Sequence, residues 1–409
     1  MTLTTARMAW RNLWRNPRRT SLAVAAIGLS LALVLVYDGV LRAYADWMRA
    51  TMTGPLLGDV QVHAPEWRKD RAMDRTLAGA AAAVEAVRRA PGVASASARI
   101  YAPALAAVGE EGFAVLVLGI DPRPESRPTG LLAGATALPA GKRVLMGKAL
   151  AENMGVSPGD LIAIVGQGAD GSLANDLFTV AGLVSTSVDF VNRQAVLLEL
   201  PVAQELFAMP GEAHELVVHA RPGTAARALA GRLSALPELA GAEVLDWERL
   251  APEMVALIRI VEVAWVFVLV LVFAAAAAGV ANTMLMSTFE RTHELGMLLA
   301  LGTRPARVVS LVVAEALVLG LAGVLAGVAL GGGIVAITHR TGFDFQALTG
   351  GGPRELSFGG LRWSLVLHPR LALVDVLRGA GAVLATALLA SAWPASRAAR
   401  LEPSRALRS

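Results

Sequence analysis

The chain has 409 residues, of which 55% are hydrophobic and only 17% charged, against about 25% charged in ordinary soluble domains. It has no cysteine, which excludes disulfide scaffolds, thiol catalysis and Cys-ligated zinc or iron–sulfur centres. Aromatics are 5% and mean hydropathy is +0.54, so the apolar excess is Ala, Leu, Val and Gly, a mixture suited to helices packed closely in lipid. The net charge of +4 comes from arginines at span ends and in an outer domain, which argues for a membrane protein and against nucleic acid as a partner.

In chain order, residues 1–20 carry Arg7, Arg11, Arg15, Arg18 and Arg19 with no acid, and read as an amphipathic cytoplasmic N-terminus. Residues 21–42 form a first apolar span. Arg42, Tyr44 and Trp47 follow it without a small-residue cleavage site, so it reads as an uncleaved anchor. Further spans are predicted at 257–287, 308–338 and 371–396, because an apolar run of about 18 or more residues crosses roughly 30 Å of hydrocarbon. Val263–Phe289 is uncharged, the third span holds Glu315 alone, and Asp375 and Arg378 lie in the opening turns of the fourth. The tail, 397–409, sets Arg397, Arg400, Arg405 and Arg408 against Glu402. With both ends inside, 43–256 and the loop 339–370 lie outside, and 288–307 is cytoplasmic.

The outer segment is long enough for its own core and reads as α+β. Asp59–Ala64 alternates like a strand and Leu77–Arg89 has helical spacing. Arg99–Val108 and Phe113–Ile120 read as strands, ended by Pro122, Pro124 and Pro128. Lys142–Leu200 is β-rich, Glu215–Ala220 is a strand, and Ala225–Leu236 a helix. We expect two lobes: an α/β lobe from about 55–135 and 205–245, and a β-rich insertion at about 136–204. At the edges, Leu250, Met254, Leu257, Val261 and Ala264 recur at heptad spacing, as do Val40, Tyr44, Trp47 and Thr51. They read either as juxtamembrane helices packed under the domain or as a two-helix stalk that passes motion. The same residues mark where a substrate would enter from the outer leaflet, since the span centres offer no hydrophilic path.

Motifs for chemistry are absent. No G-x-x-x-x-G-K-(S/T) loop occurs, so ATP hydrolysis by this chain is not expected. H-E-x-x-H and G-x-S-x-G are also missing. The six histidines are scattered, and no catalytic or metal site is expected. Between spans 2 and 3 a charged cluster, Glu290, Arg291, His293 and Glu294, precedes an apolar stretch holding Leu295, Gly296, Leu298 and Leu301. Gly302 and Thr303 then read as a helix stop and a new cap, with Pro305 opening the next helix. This is a short amphipathic helix on the cytoplasmic face, either a connector or a knob that docks into a soluble partner. Glu315 costs about 2.5–3.5 kcal/mol inside a span unless paired. An ion pair with Arg291 or Arg304 is expected, rather than a proton relay. Ala316, Gly320, Gly323, Gly327 and Gly331 form a small-residue stripe for close helix packing, read as packing within one subunit.

Segment 282–331 resembles the FtsX-like permease family of ABC transporters (type VII, the mechanotransmission class). The family's E-R-x-x-E-(I/L)-G-x-x-x-A-(L/I/V)-G-(A/T) signature is matched by Glu290, Arg291, Glu294, Leu295, Gly296, Ala300, Leu301, Gly302 and Thr303. Glu315-Ala316, the glycine ladder, the opening Ala9–Thr20 and the closing Pro394–Pro403 are also similar, so the resemblance covers essentially the whole chain. It implies an α-helical membrane protein with four transmembrane helices and a large extracytoplasmic α+β domain, built of a porter lobe and a β-rich sabre lobe, inserted between spans 1 and 2. It further implies that 288–303 is a coupling helix contacting a separate cytoplasmic ABC ATPase dimer. That ATPase binds ATP and Mg, this chain binds no cofactor, and a second permease subunit, the same or homologous, completes the pair in the inner membrane. The size of the chain, with Gly58–His63, Gly119–Pro122 and Gly155–Asp160, looks like the Lol-type lipoprotein-releasing permeases. That subgroup implies extraction of lipoproteins or lipids from the outer leaflet and transfer to a periplasmic carrier. Two alternatives stay open: an efflux permease for a peptide, drug or other amphiphile working with a periplasmic adaptor, and a non-transport regulator of a periplasmic cell-wall hydrolase.

Overall fold

The computed structural model describes residues 16–132, 137–344, 356–358, 361–363 and 366–400. The arginines before residue 16 and after residue 400, and most of the loop after span 3, lie outside the described residues. The chain divides into a membrane unit and an outer unit that holds 47–256.

Among the described residues four helices are long and apolar enough to cross a membrane. They are span 1 (Pro17–Thr53), span 2 (Pro252–Glu290), span 3 (Pro305–Thr341) and span 4 (Leu373–Ala399). Three open on proline, whose missing N–H would have had no helical partner there. Spans 1 and 2 have 37 and 39 residues, and at about 1.5 Å per residue both outrun a hydrocarbon layer of about 30 Å.

The membrane core sets Ile27, Leu31 and Leu35 of span 1 against Val280 and Met284 of span 2, Ala316 and Leu319 of span 3, and Val383 of span 4. The glycines of span 3 make this approach possible. A Cβ on Gly323 would lie 2.4 Å from Ile27, and one on Gly327 would lie 2.7 Å from Leu31. On Gly331 it would meet Ala32 at 2.8 Å, whereas Gly320 faces Ala387 of span 4 at 3.2 Å. The stripe therefore packs against helices of the same chain.

In the outer unit the strands are β1 (Val60–His63), β2 (Val93–Val108), β3 (Glu111–Ile120), β4 (Arg143–Gly147), β5 (Leu161–Gln167), β6 (Leu173–Val184), β7 (Ala195–Glu199), β8 (Glu215–Ala220) and β9 (Glu243–Asp246). They form one sheet in the order β3-β7-β4-β6-β5-β2-β8-β1-β9, with β3 also paired to β2. That last pairing closes β2, β3, β7, β4, β6 and β5 into a six-stranded ring, which leaves no free edge inside the ring. Alternate residues of all six strands, including Ile100, Val117, Met146, Ile164, Phe178 and Val196, fill its interior with Phe207 and Met154. The flanking layer packs helices Ala80–Arg89 and Ala226–Leu233 on β1, β8 and the first half of β2 through Val84, Val87, Leu216, Val218 and Leu229.

Strand β2 joins the two cores. Its residues 95–99 pair with β8, 99–108 with β3 and 104–107 with β5. It begins at Val93, six residues before the expected Arg99, because Val93–Ala98 is a run of small residues without a strong strand signal. The expected helix from Leu77 begins only at Ala80: Gly79 takes a left-handed φ of +64° and Leu77 bridges to Ala213. Short helices at Lys148–Met154, Asp189–Gln194 and Leu200–Leu206 interrupt the stretch read as β-rich.

Candidate functional site

The connection between spans 2 and 3 is built by its stop signals. Span 2 continues to Glu290, Arg291 leaves helical geometry at φ −110° and ψ 13°, and a separate helix covers Thr292–Ala300. Residues 288–290, expected within the connector helix, thus complete span 2. Gly302 sits at φ +83°. Its N–H donates to Leu299 O and that of Thr303 to Leu298 O, the paired bonds of a Schellman stop. Thr303 does not cap the next helix. Arg304 occupies that position without a side-chain bond, since the residue before a proline is steered out of the α region.

Leu295 and Gly296 are buried, and Leu295 packs with Val308, Val312, Ala395 and Ala398. The other face turns outward: Met297 is 44% exposed, Leu298 39% and Leu301 78%. His293 is exposed and Glu294 half-buried. Arg291 donates through Nη1 to Glu315 at 2.5 Å and through Nε to Glu294 at 3.1 Å. Glu315 is 3% exposed, so its charge is held in an ion pair with Arg291. Arg19 pairs with Glu290 at 2.9 Å, tying the start of span 1 to the end of span 2.

At the other end of the membrane unit, Tyr37 stacks on Trp265 with centroids 3.6 Å apart, and Trp265 Nε1 donates to Asp38 at 3.0 Å. Arg42 pairs with Asp375 at 2.5 Å, and Arg370 pairs with Asp46. The outer-boundary charges Asp38 and Asp375 are therefore partnered, as charges near the bilayer edge require. Val40 and Tyr44 beside them are half-buried.

A third cluster, within the outer unit, carries no sequence motif. Arg99 of β2 is wholly buried. Its Nε donates to Glu125 Oε1 at 2.7 Å and its Nη2 to Glu125 Oε2 at 2.9 Å. It also donates to Leu56 O at 3.0 Å and Pro55 O at 2.9 Å, directly beyond the end of the span 1 helix. Glu125 accepts from Ser97 Oγ at 2.6 Å and Leu131 N at 2.9 Å as well. Burial alone would raise its pKa, but Arg99 and these donors hold the carboxyl below the usual range.

Asp59 makes a second fastening. It accepts from Arg49 at 2.9 Å and from Ala220 N at 2.9 Å, and its carbonyl accepts from Trp247 N at 3.1 Å. Arg68 donates to Leu250 O at 2.9 Å. Leu56, Leu57 and Met254 pack against the buried cluster that holds Trp67. The chain entering the outer unit and the chain leaving it are thus held at one edge of the sheet. Trp47 is half-buried here. The expected seam from Leu250 to Ala264 is not one helix: Leu250 ends a short helix, Trp247–Leu250, and Ala251 breaks it at φ −131° and ψ 64° before Pro252. Leu250 is buried and Val261 half-buried, while Leu257 and Ala264 are exposed.

His214 has a structural part. Tyr101 N–H donates to its Nδ1 at 3.0 Å, and its Nε2 meets Met73 O at 3.1 Å. Next to it Tyr101 donates through its hydroxyl to Glu215 at 2.9 Å, and burial pushes the Glu215 carboxyl up. No cluster of His, Asp and Glu with metal-binding geometry occurs among the described residues.

Residues 20–236, more than half the chain, match the MacB-like periplasmic core domain, and residues 266–403 match the FtsX-like permease C-terminal family. The chain is 24% identical to the lipoprotein-releasing system transmembrane protein LolC of Neisseria meningitidis, a match covering 95% of this chain and 94% of LolC. An uncharacterised ABC transporter permease of Methanocaldococcus jannaschii is 28% identical, over 41% of this chain and 44% of that protein. The macrolide export ATP-binding/permease protein MacB of Hyphomonas neptunium is 34% identical, over 32% of this chain and 17% of its own length. With four spans, the outer unit between the first two, and both family matches in chain order, the chain belongs to the FtsX-like permeases of ABC transporters, as a multi-pass inner-membrane protein with a MacB-like periplasmic domain.

Proposed function

We propose that this chain is the permease subunit of a transporter in which a separate cytoplasmic ATPase dimer drives conformational change in the periplasmic domain, extracting lipoproteins or lipids from the outer leaflet. The observation that carries the substrate class is the near full-length match to a lipoprotein-releasing protein. In this reading Thr292–Ala300 is the coupling helix, and Leu298 and Leu301 are its contacts with the ATPase, with Glu290, His293 and Glu294 at the rim. ATP and Mg are bound by that partner. The insertion at about 136–204, which supplies β4 to β7 of the ring, is the sabre lobe, and about 55–135 with 205–245 is the porter lobe. Arg49–Asp59 and Arg99–Glu125 fasten the helix arriving from span 1, so that its movement reaches the sheet. Substrate enters near Val40, Tyr44, Leu257 and Val261, and a periplasmic carrier receives it. A second permease chain, identical or homologous, completes the membrane portion.

The MacB match over a third of the chain supports a second reading, export of a peptide, drug or other amphiphile through a periplasmic adaptor. Reconstitution separates the two. Proteoliposomes holding this chain, its ATPase and a triacylated lipoprotein should release the lipoprotein to a soluble carrier when ATP is added. ATP-dependent loss of a macrolide or amphiphilic peptide, without lipoprotein release, would establish the second reading instead.

A further inference from the structure

Strand β2 loses its neighbour partway along. Between Arg99 and Val108 it is paired with β3, which then departs at Ile120 into the turn Asp121–Arg127. From Val93 to Ala98 the β8 side remains paired and the β3 side is vacant. The vacated edge floors a cleft of about 440 Å³, lined by Val93–Ala96, Arg88, Asp121, Arg123, Pro124 and Arg127. Three guanidiniums and one carboxylate share it.

Two of the arginines are held in place by the open edge. Arg88 donates twice to Ala96 O, at 3.0 and 2.9 Å, and once each to Asp121 and Glu85, both at 3.2 Å. Arg127 donates through Nη1 to Ala94 O at 3.1 Å, leaving its other N–H groups for a ligand. Capping a bare strand edge accounts for these two. It does not account for Arg123, whose side chain has no ion pair or hydrogen bond among the described residues, nor for Ser95 on the cleft floor. Ser95 is 8% exposed, and its hydroxyl makes no hydrogen bond there. Asp121 is already occupied by Arg88 and by the N–H of Arg123 at 3.1 Å.

We infer that this cleft binds a phosphate group, held by the forks of Arg123 and Arg127 and by the Ser95 hydroxyl, while Arg88 is already paired with Asp121 and Glu85. Guanidinium forks match phosphate oxygens two at a time, and Arg123 and Arg127, which pair with no carboxylate among the described residues, suit a dianion or a phosphodiester beside its counterion. A phospholipid headgroup and a soluble phosphate carry the same chemistry, and the cleft selects for that chemistry. The inference is independent of what the permease transports.

The test is calorimetric titration of the full chain in detergent at low salt with two probes, inorganic phosphate and glycerophosphoglycerol, the headgroup of an anionic phospholipid without its acyl chains. Saturable binding should be weakened about tenfold or more in Arg123→Gln/Arg127→Gln, with an unchanged unfolding midpoint showing that the fold is intact. Ser95→Ala should weaken it by a smaller factor. Binding of glycerophosphoglycerol alone identifies a lipid headgroup as the source, and binding of both probes or of phosphate alone identifies the phosphate group itself. Absence of saturable binding by either probe, or equal binding by the double variant, would overturn the inference.

Discussion

Arg291 and Glu315 face each other at 2.5 Å across 24 residues of sequence, one at the start of the cytoplasmic connector and the other ten residues into span 3. The Glu315 side chain is 4% exposed and that of Arg291 16%, so the Glu315 charge depends on Arg291, while Arg291 keeps a second carboxylate in Glu294 at 3.1 Å. Removing one partner of such a pair costs about 3–5 kcal/mol, while replacing both with apolar residues is often neutral. We expect Arg291→Leu, which removes the cation paired with the buried Glu315, to lower the unfolding free energy by about 3 kcal/mol, and Arg291→Leu/Glu315→Met to recover most of it. Thermal unfolding of the purified chain in detergent measures both. A loss of no more than about 0.5 kcal/mol in the single variant would show that the pair contributes little.

The exposed face of the connector separates docking from folding. Leu301 is 78% exposed, so Leu301→Glu should change stability by no more than about 0.5 kcal/mol. If Thr292–Ala300 is the coupling helix, the same variant should abolish copurification with the ATPase. Retained copurification in both Leu301→Glu and Leu298→Glu would place the ATPase contact elsewhere.

The Arg99–Glu125 pair in the periplasmic domain gives a test of force transfer. Glu125→Ala leaves the buried Arg99 charge uncompensated and should destabilise the domain by about 3–5 kcal/mol. Arg99→Met/Glu125→Leu should fold, because two apolar residues replace the pair, yet it removes the donors to Pro55 and Leu56. In that double variant we expect ATP hydrolysis to continue while release of substrate falls, with faster hydrogen exchange confined to residues near 54–57. Parental release rates would reduce the Arg99 contacts to a role in stability only.

Acidification should loosen the periplasmic domain in two stages. Burial lowers the pKa of His63, His214 and His219, so the fold favours neutral rings. Their contribution is complete above the ordinary histidine value of about 6.5 and is lost as pH falls below it. The Glu125 carboxyl, held low by Arg99, adds a second loss below the ordinary glutamate value of about 4.3, as the unfolded chain takes up protons first. Glu215 acts in the opposite sense: burial favours its protonated form, so its contribution is lost as pH rises. Glu215→Gln should therefore stabilise the domain more at pH 8 than at pH 5, as read by chemical unfolding at each pH. Equal effects at both values would show that Glu215 titrates normally.

What the sequence determined by itself is what local physics decides. A bilayer demands that each crossing segment satisfy its own backbone hydrogen bonds, so an apolar run such as Val263–Phe289 is legible as a span without knowledge of its neighbours. The Gly302 stop is equally local, since its positive φ follows from the residue type. The need of Glu315 for a cation was also readable, but the choice of Arg291 over Arg304 depended on how the connector turns. Only the tertiary structure decided the rest. Val93–Ala98 becomes strand because β8 pairs with it, and the ring closes because β3 reaches both β2 and β7. The break at Ala251 set Pro252 geometry against a seam that spacing alone would have continued. Arg99 looked like one arginine opening an apolar strand, and its partners Pro55, Leu56 and Glu125 lie 26 to 44 residues away. Pairings across such distances are fixed by the free energy of the whole packed domain, which no short window of sequence contains.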